Sequence, residues 1–234
     1  MESSRSIVKK KNDMTKAIVF DMGGVLVDLD LEACKKEFRE RLGYGNIGEI
    51  LDPCHQKGAW GLLEEGSITD DEFREFILKD SKEGTAPEDV DAAMWKILKG
   101  IEPYKAELLK KVSERYEIHM LSNNNGICLP EAERMFERAG VPLDTTFGKL
   151  FMSFRMKALK PSEKIYREII SQLGLPAEQL LFIDDSRTNV EASIEAGMPA
   201  VHYEPGTDLS ALLADVLQWP ELASTGAGRV EGKC

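Results

Sequence analysis

No stretch of this 234-residue chain stays apolar for the roughly 20 residues that a bilayer-crossing helix needs, which excludes a helical membrane-spanning protein. Cysteine is scarce as well. Cys34, Cys54, Cys128 and Cys234 form no CxxC pair and have no histidine at ligand spacing. Neither a disulfide framework nor a zinc site is expected, and reduced thiols suit a cytoplasmic location. The basic, polar start MESSRSIVKKKNDM lacks an apolar segment ahead of a small-residue cleavage site, so no secretory signal is expected. Positive charge is in deficit, with 30 Lys and Arg against 41 Asp and Glu for a formal −11. That balance argues against nucleic acid and anionic membrane as partners. Internal repeats and long low-complexity tracts are absent too.

What is present divides into two patterns. Lys16–Phe20 (KAIVF) is a short apolar run of strand type, and the next seventy-five or so residues show no convincing strand. Leu31, Cys34, Phe38 and Leu42 fall at helical spacing, as do Phe73, Phe76 and Ile77, and then Val90, Met94, Ile97 and Leu98. Thr69 before Asp70 and Asp71, and Pro87 before its acids, read as helix starts. After Pro103, helix and strand alternate: helix around Leu108–Val112, strand EIHML (117–121), helices at Glu131–Arg138 and Ser162–Leu173, strand LLFI (180–183), a helix ending at Gly197, and strand PAVHY (199–203). Such alternation predicts an α/β fold, a Rossmann-like doubly wound parallel sheet, with an inserted all-helical cap. The expected division is core at 14–30 and 103–220, cap at 31–102, and flexible tails at 1–13 and 221–234.

In parallel sheets of this kind ligands bind beyond the carboxyl ends of the strands, so the residues just after each apolar run carry the interest. Asp21 follows AIVF, Ser122 and Asn123 follow IHML, Asp184 and Asp185 follow LLFI, and Lys160 precedes a helix in ALKPSEKIY. Singly, each could be a helix cap or a solvated side chain. Together they place three carboxylates, a hydroxyl–amide pair and one lysine on one sheet edge, and that set suits phosphoryl transfer. A carboxylate attacking a phosphate dianion meets a repulsion of about 4 kcal/mol per unit-charge pair at about 4 Å and an effective dielectric of about 20. A lysine and a divalent cation offset it. Mg²⁺ takes carboxylate, carbonyl and water ligands, which Asp21, Asp185 and a backbone oxygen can supply. Ser122 and a nearby backbone N–H can hold the phosphoryl oxygens.

FDMGGVLVD (20–28), LSN (121–123), LKP (159–161) and FIDD (182–185) resemble, in order, the four motifs of the haloacid dehalogenase-like hydrolase superfamily. The helical stretch lies where members of its subfamily I carry a helical cap. The resemblance implies that Asp21 is the nucleophile, becomes an aspartyl-phosphate and binds Mg²⁺. It makes the Gly23 carbonyl a second metal ligand and Asp185 a third, with Asp184 supporting it and Asn189 placed to hold a metal-bound water. Ser122 and Asn123 would hold the phosphoryl group, while Lys160 neutralises it and orients Asp21. The implied function is a Mg²⁺-dependent phosphatase acting on a small phosphorylated metabolite, a sugar phosphate by preference; the sequence does not choose between a monomer and a weak dimer.

One departure stands out. Most phosphatases of this superfamily have Asp two residues after the nucleophile, where it protonates the leaving group, and this chain has Gly23. The form resembles a subgroup that includes glucose-1-phosphate phosphatases, so turnover is compatible with it, but the general acid is left unassigned. Lys157, where many relatives have Gly, reads as a surface lysine. Within the cap, His55, Trp60, Glu64 and Glu65 are specificity candidates, against a plainer reading of Trp60 as core and the Glu pair as a solvated helix end. His119 and His202 read as core histidines, and Asp28 and Asp30 as hinge or helix-capping residues. Two other functions compete: a catalytically weak relative that binds a phospho-ligand, and a metal-independent 2-haloacid dehalogenase.

Overall fold

The computed structural model describes residues 14–51 and 58–225. His55 and Cys54, like the expected tail at 1–13, lie outside the described residues.

Strand β1 (Ala17–Phe20) is followed by β2 (Asp28–Leu29) and then by helices α1 (Leu31–Glu40), α2 (Ile47–Ile50), α3 (Gly58–Glu65), α4 (Asp70–Lys79) and α5 (Pro87–Trp95). Strand β3 (Leu98–Gly100) and helix α6 (Pro103–Ser113) lead back to β4 (Glu117–Ser122). Then come α7 (Leu129–Arg138), α8 (Leu143–Thr146), β5 (Leu150–Met152), α9 (Ser153–Met156), α10 (Glu163–Leu173), β6 (Leu180–Asp184), α11 (Arg187–Glu195), β7 (Ala200–His202) and α12 (Leu209–Val216).

Five strands form one parallel sheet in the order β5-β4-β1-β6-β7. The chain winds from β1 outward through β4 to β5, then returns to β6 on the other side of β1. The winding direction therefore reverses between β1 and β6, which is where open α/β sheets place their ligands. β1 is apolar at every position because both faces are covered. Ile18 and Phe20 face α6, α7 and α12 in one cluster, while Ala17 and Val19 face α10 in another. Phe20 is in register with Met120 and Ile183 on its two neighbours, so Asp21 and Asp184 emerge at one level of the sheet edge, with Ser122 one residue further along β4.

Helices α1 to α5 close around a separate core of Phe38, Trp60, Phe73, Val90 and Met94, with Trp60 and Phe73 edge to face at 5.9 Å between ring centroids. Thr69 starts α4 as expected: its hydroxyl accepts from the Glu72 N–H and the Glu72 carboxylate accepts from the Thr69 N–H. Ile127 and Cys128, from the loop after β4, complete this second core, so it rests on the strand ends.

The structure corrects three expectations. The inserted segment is not all-helical: β2 and β3 pair antiparallel at its root, a ribbon too short to show a period-two pattern. The three-residue edge strand β5 was not expected at all. Residue 221 does not begin a tail, because Pro220–Thr225 forms a 3₁₀ turn that buries Leu222 in the main core. At the ribbon, Asp28 accepts from the fully buried Lys105 at 2.8 Å, and Asp30 caps α1 through the Ala33 N–H.

Candidate active site

The strand ends enclose a cavity of about 700 Å³ beneath α3, and its wall includes Asp21, Gly23, Ser122, Asn123, Lys160, Asp185 and Asn189. The structure thus brings together every site residue expected from the sequence, with Asp184 directly behind.

Lys160 stands at the centre. Its ammonium lies 2.8 Å from Asp21 Oδ1 and 2.6 Å from Asp184 Oδ2. An ammonium has three N–H donors, so two of them are engaged here and one is left for a ligand. The loop that carries Lys160 is fixed by Asn123, whose side chain donates to the Lys160 carbonyl at 3.1 Å and accepts from the Lys160 N–H at 2.9 Å. This reciprocal bond joins the end of β4 to the loop before α10. Asp184 is fully buried and saturated: besides Lys160 it accepts from the Ser186 N–H at 2.8 Å and from Asn189 Nδ2 at 2.9 Å. The Asn189 side chain accordingly holds Asp184 in place.

Carboxylate oxygens of Asp21, Asp184 and Asp185 all lie within 4.8 Å of one another. Three acids facing one lysine is an unbalanced set. Burial pushes the Asp21 carboxyl well above the usual carboxylate range; Lys160 opposes the rise, and Asp184 and Asp185 add to it. Asp185 is raised as well, by burial and then by Asp184. Lys160 remains a cation: burial works against its charge, but Asp184 and Asp21 more than compensate. Such a cluster of hard oxygen donors fits a divalent cation like Mg²⁺, which would relieve the excess negative charge.

The loop after β1 is shaped to this cluster. The Gly24 N–H donates to the Val27 carbonyl at 2.9 Å, closing a tight turn with φ +79° at Gly24. A Cβ at Gly24 would stand 2.1 Å from Asp185 Oδ2, so only glycine lets the two chains approach this closely. At Gly23 a Cβ would lie 3.2 Å from Leu29 Cδ1, which places the Leu29 side chain where a residue at this position would project.

Several residues have roles that local sequence pattern does not show. His202 Nε2 bonds the Asp185 carbonyl at 2.9 Å, bracing it from β7. His119 is buried and kept uncharged by that burial, as expected of a core histidine. Lys157 is not a plain surface lysine: it sits at φ +54° and its ammonium donates to the Gly66 carbonyl across the boundary between core and cap. Trp60 packs in the cap core as expected and also lines the cavity. Glu64 differs most from expectation. It is 9% exposed rather than solvated, lines the cavity, and accepts from Trp60 Nε1 at 2.9 Å.

A model of the haloacid dehalogenase-like hydrolase family matches residues 15–197. A D-ribitol-5-phosphate phosphatase of Bacteroides thetaiotaomicron is 30% identical over 209 residues, spanning 87% of this chain and 99% of that protein. Among solved structures, a haloacid dehalogenase family enzyme of Bacteroides thetaiotaomicron in complex with magnesium and inorganic phosphate superposes with a TM-score of 0.81 at 31% identity, covering 85% of this chain and 98% of the other. A predicted hydrolase of the same family from Porphyromonas gingivalis gives a TM-score of 0.80 at 31% identity, over 88% and 98% of the two chains. With its motifs gathered at the reversal point of the sheet and residues 15–197 matched, the chain belongs to the haloacid dehalogenase-like hydrolases.

Proposed function

We propose that this haloacid dehalogenase-like phosphatase hydrolyses a small phosphorylated polyol or sugar through an aspartyl-phosphate on Asp21, in the cytoplasm and with Mg²⁺ as cofactor. The observation that carries the reading is the Asp21–Lys160–Asp184 chain at 2.8 and 2.6 Å at the strand ends, with Asp185 beside it in the cavity wall. Asp21 is fixed as a nucleophile by two donors, Lys160 and the Met22 N–H at 2.7 Å. The third donor of Lys160, the Ser122 hydroxyl and the backbone N–H of Asn123 are the groups we assign to the phosphoryl oxygens. Asp21, the Gly23 carbonyl and Asp185 are assigned as metal ligands, with Asp184 and Asn189 supporting them. The cation would neutralise charge on the transferring group, as divalent ions do in phosphoryl transfer generally. The segment 31–102 is assigned as the cap that roofs the cavity and limits its entry to small ligands. Similarity to the ribitol-phosphate enzyme favours a pentitol or pentose phosphate as substrate. Cys34 and Cys128, both free and buried, accord with a reducing compartment.

The acidic cluster favours this reading over its two competitors. Three converging carboxylates suit a cation site that a metal-independent dehalogenase does not need, and a lysine beside Asp21 suits a nucleophile. The experiment is phosphate release from p-nitrophenyl phosphate and D-ribitol 5-phosphate, with Mg²⁺ and with chelator. Release with Mg²⁺ that drops to background on chelation and returns on adding the ion is the expected result. Release that persists under chelation contradicts the metal assignment, and none from either ester contradicts the phosphatase.

A further inference from the structure

We infer that Glu64, delivered from the cap, is the general acid and base that the chain lacks at Gly23, protonating the departing alcohol and then activating the attacking water. The inference rests on the phosphatase reading and names a further catalytic residue for it.

Three observations converge. First, the position two residues after the nucleophile carries no side chain, and the Leu29 side chain stands 3.2 Å from where a Gly23 Cβ would be. Second, the other ionisable groups lining the cavity are unsuitable. Asp21 and Asp185 belong to the acidic cluster, Lys160 is locked as a cation by two carboxylates, Arg187 does not give up its proton, and burial holds the Cys128 thiol far above its ordinary range. Among the described residues, Glu64 is the one carboxyl in the cavity wall outside the metal cluster. Third, Glu64 is held in place. The fully buried Ser153, at the end of β5, donates to the Glu64 carbonyl at 2.6 Å and accepts from the Asn124 N–H at 3.0 Å, pinning the last turn of α3 to the loop after Ser122. Gly66, at φ +73°, packs so closely on the Phe154 carbonyl that a Cβ would come within 2.3 Å, which fixes the exit of the helix. With its main chain held by the core and its carboxyl held by Trp60, Glu64 is a positioned group rather than a loose surface one.

The groups facing Glu64 are Trp60 on its own helix, Lys160 across the cavity and the Cys128 thiol. Burial, opposed by the Trp60 bond and by Lys160, sets the carboxyl at about 7, where it can both give and take a proton near neutral pH. The sequence of bonds balances. An Asp21 oxygen bonds phosphorus as the bond from phosphorus to the alcohol oxygen breaks, and that oxygen keeps the electron pair and takes the Glu64 proton. The Glu64 carboxylate then takes a proton from water as the water oxygen bonds phosphorus and the bond from phosphorus to the Asp21 oxygen breaks, its electron pair staying on that oxygen. Inorganic phosphate leaves, and the Asp21 carboxylate and Glu64 carboxyl are restored.

The test is Glu64→Gln, which keeps the shape and the Trp60 bond, assayed on two leaving groups. With D-ribitol 5-phosphate, kcat/KM should fall by about 10²–10⁴-fold, the usual worth of general acid–base help. With p-nitrophenyl phosphate, whose leaving group needs no proton, kcat/KM should stay near wild type while kcat falls, because water attack on the phosphorylated enzyme loses its base. That retained kcat/KM also shows that the variant is folded. Equal losses on both esters, or no loss on either, would overturn the inference. A second measurement needs only the wild-type protein: across aryl and alkyl phosphates, kcat/KM should depend weakly on leaving-group acidity, and a steep dependence would overturn it too. A wild type that releases phosphate from no ester sinks the phosphatase reading instead, a failure separable from that of Glu64.

Discussion

Replacing Asp21 with asparagine lowers phosphate release by about 10⁴-fold or more, the scale of loss when a covalent nucleophile is removed. The amide has nearly the same shape and still accepts from the Met22 N–H and Lys160, so the cavity keeps its form. What disappears is the anionic oxygen that attacks phosphorus. A second consequence separates this site from a structural ion pair. Burial holds the Asp21 carboxyl above its ordinary range, so the folded state suppresses its charge. A group raised on folding stabilises at low pH and loses that contribution as pH rises through its folded-state value. In metal-free protein above neutral pH, Asp21→Asn should therefore melt higher than wild type while being inactive. Steady-state kinetics and thermal melts in chelator check both halves. An active variant contradicts the nucleophile assignment, and a lower melting temperature contradicts the electrostatics.

Lys160→Met should cost about 3–5 kcal/mol of stability in chelator, the range for removing one partner from a buried charge cluster. For a chain of this size that is a fall in melting temperature of roughly 10 °C. Among the described residues, Lys160 is the one cation bonded to both Asp21 and Asp184, and both carboxylates are themselves nearly or fully buried. Without it, the cluster can relax only by taking up protons. The deficit should accordingly be small near pH 5 and grow towards pH 8, and Mg²⁺ should recover part of it. Activity should fall with it, since the nucleophile loses the donor that aims it. A deficit independent of pH would mean that Lys160 contributes packing rather than charge.

The sheet edge was legible because its signal is local. Asp21, Ser122 and Asp184 each end a buried apolar run, and one parallel register suffices to bring them to the same edge, within one residue of the same level. Lys160 was legible through its motif, although it reaches the site on a loop whose position depends on Asn123. The rest depended on contacts between distant parts of the chain. The pair Glu64–Glu65 before Gly66 looks like an exposed helix end, and only the bond from Ser153, 89 residues further on, turns that end inward. His202 behind Asp185 and Lys157 beneath Gly66 are likewise tertiary facts. Strands β2, β3 and β5 are two or three residues long, below the length at which alternation can be recognised. Leu222 returns to the core through a sequence of small and polar residues that resembles a tail, because burying Trp219 and Leu222 outweighs the weak preference of ELAST.

The most direct test of the central claim is to catch the covalent state. Wild-type protein mixed with Mg²⁺ and p-nitrophenyl phosphate would be quenched in acid within the first turnovers and digested, and its peptides weighed. The account predicts one phosphoryl group on the peptide that carries Asp21, labile to hydroxylamine as an acyl phosphate must be, and absent in Asp21→Asn. Steady phosphate release from wild type with no phosphorylation of that peptide, or the same label in Asp21→Asn, would contradict it.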